Sequence, residues 1–112
     1  MQRVYFCTGT SFLTGDRIAT SLLRYARALG QTGEFDVVEV PTLQSDGSAG
    51  RTTLMLSPGS QVSTESLVAA AAEVTDEELV ASFDAKAALL LAPHTPRMEA
   101  AGYVPFAIDE LN

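Results

Sequence analysis

The stretch Cys7-Thr8-Gly9-Thr10-Ser11-Phe12-Leu13-Thr14-Gly15-Asp16 follows a short apolar run and precedes the first helical pattern of the chain. Glycines set among hydroxyl side chains suit a loop that leaves a strand and enters a helix. Such a loop presents backbone N–H groups and hydroxyls at the positive end of a helix, which favours an anion, often a phosphate. A tight turn with a good helix cap uses the same residue types, so both readings stand.

Upstream, Arg3-Val4-Tyr5-Phe6-Cys7 is a nearly continuous apolar run and predicts a strand covered on both faces. Downstream, the period becomes helical over 16–30. Ile18, Ala19, Leu22, Leu23, Tyr25, Ala26 and Leu29 share one face, and Arg17, Ser21, Arg24 and Arg27 the other. Thr14 or Asp16 can cap this helix, and Gly30 with Gly33 can stop it. Residues 35–40, Phe-Asp-Val-Val-Glu-Val, predict a strand ended by Pro41. Strand, helix and strand together make a βαβ unit with parallel strands.

Residues 35–56 predict an antiparallel hairpin around Asp46-Gly47, with its second strand at 51–56. Ser57-Pro58-Gly59-Ser60-Gln61 breaks that strand. The alanine-rich sequence beyond predicts a helix over 65–73, capped by Ser63 or Thr64. Thr75-Asp76-Glu77-Glu78 is a capping-box pattern opening another helix. Residues 87–92 either continue that helix or form a buried strand before Pro93. The expected architecture is a single α/β domain over 1–112, with a small mixed sheet in the order β-α-β-β-α(-α) and helices packed on it. The tail 98–112 carries Tyr103, Val104, Phe106, Ile108 and Leu111, and is expected to dock on its own domain or on another subunit.

The 112 residues are 46% apolar, ordinary for one globular domain. The net charge of −7 is unevenly spread: nine of the fourteen acids lie beyond residue 64, against Lys86 and Arg97 alone. That imbalance argues against general nucleic-acid binding, although a small anion can still be held locally. A single cysteine permits no internal disulfide and fits a reducing cytoplasm. No stretch is apolar enough to span a bilayer, and no signal-peptide pattern opens the chain, so a cytoplasmic protein without membrane partners is expected.

If the first two strands run parallel, the loop at 8–15 and the turn at 41–50 leave the sheet at one edge, where α/β folds bind ligands. Thr8, Gly9, Thr10, Ser11, Thr14 and Gly15 would then face Asp46, Ser48 and Arg51 across one cleft, with Arg17 adding charge. The loop lacks the glycine spacing and lysine of a P-loop, and the three spaced glycines of a dinucleotide fingerprint. Cys7, ending an apolar strand, is expected to be a buried, inert thiol. His94 stands between prolines with no further histidine or cysteine beside it, so no metal site is expected. No catalytic residue and no cofactor are indicated, which points away from an enzyme. Two function classes follow: a non-catalytic homo-oligomeric or partner-binding module, or a binder of a phosphorylated or nucleotide-like small molecule through Gly9–Gly15.

The run Gly9-Thr10-Ser11-Phe12-Leu13-Thr14-Gly15 resembles the Gly-Thr-Ser-Leu-Leu-Thr-Asn signature of the CRISPR-associated Rossmann fold domains. The resemblance covers these seven residues and the helix that follows, and departs from the family at Gly15, where asparagine is usual. It implies a first strand followed by a cyclic-oligoadenylate-binding loop, with Gly9, Thr10, Ser11 and Thr14 as contacts. The cysteine-loop-helix start is also similar to that of phosphotransferase-system IIB proteins, in which a cysteine after the first strand is phosphorylated. Cys7 would take that place, but the rest of the chain does not follow that pattern.

Overall fold

Thr10-Ser11-Phe12-Leu13-Thr14 is a β-strand in the computed structural model, which describes residues 1–7, 9–68 and 73–93. This strand, β2 (Thr10–Thr14), folds back antiparallel on β1 (Gln2–Phe6), with Phe6 opposite Thr10 and Gln2 opposite Thr14. The short connection needs left-handed backbone, supplied by Cys7 at φ 55° and Gly9 at φ 88°. Along β2 the alternation is clear: Phe12 and Thr14 are buried, whereas Ser11 is exposed. Hydroxyl-rich sequence was compatible with a loop, but threonine is also a good strand residue, and here the sheet uses it.

The remaining elements are α1 (Asp16–Thr32), β3 (Asp36–Leu43), β4 (Ala49–Leu56), β5 (Val62–Ser66) and α2 (Glu77–Leu91). The sheet order is β4-β3-β2-β1-β5, and every neighbouring pair is antiparallel. The expected β-α-β-β-α(-α) order with a mixed sheet is therefore replaced by β-β-α-β-β-β-α. The cause is local. Because β1 turns directly into β2, the chain reverses before α1 begins, and the parallel βαβ unit does not form.

The hairpin expected within 35–56 is present, pairing Asp36 with Leu56 through to Leu43 with Ala49. Its first strand runs through Pro41, which was expected to end it. Pro41 lies past the last residue of β2, so on that side no neighbouring strand needs its missing N–H. The helix expected over 65–73 is also corrected: Glu65 and Ser66 belong to β5, opposite Arg3 and Gln2 of β1. The run Val62-Ser63-Thr64 suits a short edge strand better than the start of a helix. Residues 69–72 and the tail 98–112 lie outside the described residues, as does His94. Residues 87–91 continue α2, which Asp76 opens by accepting the Leu79 N–H at 3.1 Å.

One face of the sheet carries the core. Val4, Phe12, Val38, Val40, Leu54 and Leu56 point into it, and α1 adds Ile18, Leu22, Tyr25 and Leu29. The second helix contributes Val80, Phe83 and Ala87 to the same cluster. Arg17 pairs with Glu77, and seven residues further along both helices Arg24 pairs with Asp84, so α1 and α2 run parallel. Between them Phe83 stacks on Tyr25, with ring centroids 5.5 Å apart. The opposite sheet face presents Tyr5, Val37, Glu39, Arg51 and Met55, and no described helix covers it.

Gly15 occupies the N-cap of α1 and has no side chain to offer. The Glu73 carboxylate replaces it, accepting the Asp16 N–H and, at 3.0 Å, a proton of the Met1 ammonium. Asp16 flanks the same ammonium at 2.9 Å. At the other end, Gly33 at φ 72° closes α1 by donating its N–H to the Leu29 carbonyl.

Candidate functional site

The residues read as an anion-binding loop are dispersed or already engaged. Pairing with β1 turns alternate amides of 10–14 toward that strand, and on the other side β3 comes alongside at Leu13, opposite Leu43. Thr14 is fully buried and donates its hydroxyl proton to the Pro41 carbonyl at 2.8 Å. Gly15 lies under the Val74 carbonyl, so its free space is used by the chain itself. Arg17 holds Glu77 through two nitrogens, Nε at 2.9 Å and Nη2 at 2.7 Å, which keeps its charge fixed. Gly9 and Thr10 are exposed at the hairpin end, and Thr8 lies outside the described residues.

The residues expected on the opposite wall are likewise occupied. Asp46 Oδ1 accepts the Ser48 hydroxyl at 2.6 Å and the Ser48 N–H at 2.9 Å, closing the hairpin turn. These bonds, the hydroxyl first, lower the Asp46 carboxyl below the usual range. Arg51 pairs with Glu39 at 3.1 Å on the open sheet face. Cys7, expected to be buried, is exposed in the β1–β2 turn, because the strand it was thought to end stops at Phe6.

Two features lie apart from the expected loop site, and the first is an exposed hairpin edge of the kind the homo-oligomer reading requires. The first is the free edge of β4: eight residues, Ala49-Gly50-Arg51-Thr52-Thr53-Leu54-Met55-Leu56, paired with β3 on one side only among the described residues. It contains no proline, no lysine and no acid. Beside it on the open face, Val37 and Met55 stand opposite each other, 58% and 60% exposed, and Phe35 is 69% exposed. The other sheet edge, β5, is five residues long and carries Glu65, which accepts the Tyr5 hydroxyl at 2.8 Å. The uncharged Thr-Thr-Leu-Met-Leu run was the visible signal for the β4 edge, but its position in the sheet order was not legible.

The second feature is a cleft of about 300 Å³ where β2 and β3 part company beyond Leu13 and Leu43. Arg3, Ser11, Thr42, Gln44, Ser45 and Thr52 line it, together with Phe12, Leu13 and Leu43. It brings Ser11 beside the 44–48 turn, but neither Asp46 nor Arg51 lines it. Among the described residues no helix is long and apolar enough to cross a membrane, and no group of three or more His, Cys, Asp or Glu is placed to hold a metal ion. No protein-family model matches the chain, and no curated protein or solved structure matches it significantly.

Proposed function

We propose that this protein is a non-catalytic module that pairs with a second copy of itself through the edge of β4. The single observation that carries the reading is the eight-residue edge with one charged side chain, Arg51, already neutralised by Glu39. Unprotected edges of that length pair readily with another strand, and proteins that stay monomeric usually blunt them with lysine, proline or bulges. A two-fold axis through β4 brings identical antiparallel strands together and satisfies the outward N–H and C=O groups of both copies. Charge favours this edge over the other. A chain of net charge −7 repels its own copy, and β4 itself brings no acid to the axis, whereas the β5 edge carries Glu65.

Light scattering on purified protein tests the reading. The expected mass is twice the 11.9 kDa of one chain, and Met55→Lys or Thr53→Lys returns it to one chain without loss of helical signal. Both side chains are exposed on the open face, so the added charge acts on the pairing and leaves the core intact. A single-chain mass for the parent protein at millimolar concentration rejects the reading.

A further inference from the structure

We propose that the cleft between β2 and β3 is a binding site for a small organic carboxylate, with Arg3 as its anchoring cation. This inference is independent of self-pairing at β4. It starts from an imbalance among the cations. Arg17, Arg24, Arg51 and Lys86 each have a carboxylate partner within 4.0 Å. Among the described residues Arg3 and Arg27 have none. Arg27 is exposed on the solvent side of α1, whereas Arg3 is half-buried in the sheet and lines the cleft. Among the described residues its one side-chain hydrogen bond is a long one, Nη1 to Ser11 Oγ at 3.5 Å. Glu65, directly opposite Arg3 on β5, turns its carboxylate to the Tyr5 hydroxyl at 2.8 Å and makes no ion pair with the guanidinium within 4.0 Å.

Among the described residues the cleft itself is lined by neutral hydrogen-bonding groups, Ser11, Thr42, Gln44, Ser45 and Thr52, and by no acid. A planar guanidinium fork matches a carboxylate through two parallel N–H···O bonds, and hydroxyl and amide donors complete the shell. One cation without a second nearby balances a single negative charge, so a monocarboxylate fits better than a doubly charged phosphate. Phe12, Leu13 and Leu43 form the remaining wall and give room for a short hydrocarbon body. The backbone contributes too. Past the Leu13–Leu43 pair no further β2–β3 pairing is present among the described residues, so main-chain groups of β2 on that side are left without a strand partner.

Amide NMR of the whole chain, titrated with sodium propionate against sodium chloride and sodium phosphate at matched ionic strength, tests this. Saturable shifts at Ser11, Leu13, Gln44 and Ser45 with propionate are expected. Arg3→Gln should weaken the apparent affinity about tenfold or more, the effect of losing a charged pair, while Arg3→Lys loses less. Ser45→Ala, on an exposed turn, provides a variant whose folding is not at stake and should also weaken binding. Shifts that chloride reproduces, that are equal in Arg3→Gln, or that are larger with phosphate than with propionate would overturn the proposal.

Discussion

The Met1 ammonium lies 3.0 Å from the Glu73 carboxylate, tying the first strand to a residue 72 positions away. Hydrogen bonds to Asp16 first, and then to Glu73, raise the ammonium above its ordinary value of 8.0. A basic group whose value is raised by folding stabilises the protein fully below its unfolded value. That contribution is lost as pH climbs through the folded one. Stability should therefore fall as pH rises above 8.0, in a window below the titration of Tyr5 and Tyr25, since burial and the Asp36 bond raise Tyr25, and the Glu65 bond raises Tyr5, above the ordinary 10.0. Urea midpoints measured across this window check it, and the slope should flatten in the Asp16→Asn, Glu73→Gln double variant.

Gly15 is required by a close approach. A Cβ at this position would overlap the Val74 carbonyl, which is main chain and cannot swing aside. Gly15→Ala is expected to cost about 3 kcal/mol, the upper end for overpacking a tight site. Thermal unfolding should show the loss, and Gly30→Ala, where a Cβ meets nothing within 4 Å, should not destabilise.

Phe83 is 1% exposed and stacks on Tyr25, whose hydroxyl donates to Asp36 at 2.6 Å. Truncation removes both the buried ring and the contact that holds α2 on α1. Phe83→Ala should destabilise by about 3–5 kcal/mol, measured by urea denaturation. Tyr25→Phe keeps the ring and loses only the bond to the Asp36 carboxylate, at a cost of about 1.5–3 kcal/mol.

Cys7 adopts φ 55°, a left-handed conformation that a side chain tolerates poorly. Cys7→Gly should raise stability by about 0.5–1 kcal/mol, despite the greater freedom glycine has when unfolded. Differential scanning calorimetry under reducing conditions isolates this from any disulfide between copies.

The parts of the fold written in period and punctuation were legible. The apolar stripe from Ile18 to Leu29, the Asp46-Gly47 turn and the acidic start of α2 each announced their element, because the signal lies within a few residues. The sheet topology was not legible, since it turned on whether Gly9 begins a helix-bound loop or a hairpin. Only the left-handed backbone at Cys7 and Gly9 distinguishes them. Of the described residues expected to bind an anion, Ser11 alone lines the polar cleft, and Arg3 joins it from the neighbouring strand. Arg3 escaped notice because strand pairing, invisible in one chain, places it there. Glu73 escaped for the same reason: it caps a helix 57 residues before it.

Hydrogen exchange along Ala49–Leu56 as protein concentration is raised addresses the pairing at β4 most directly. Alternate amides of this strand point away from β3 and, in a single chain, exchange freely. Self-pairing predicts that these amides slow with rising concentration while the β3-facing ones stay unchanged, and that Met55→Lys abolishes the slowing. Outward amides that exchange at the unprotected rate at every concentration would contradict it.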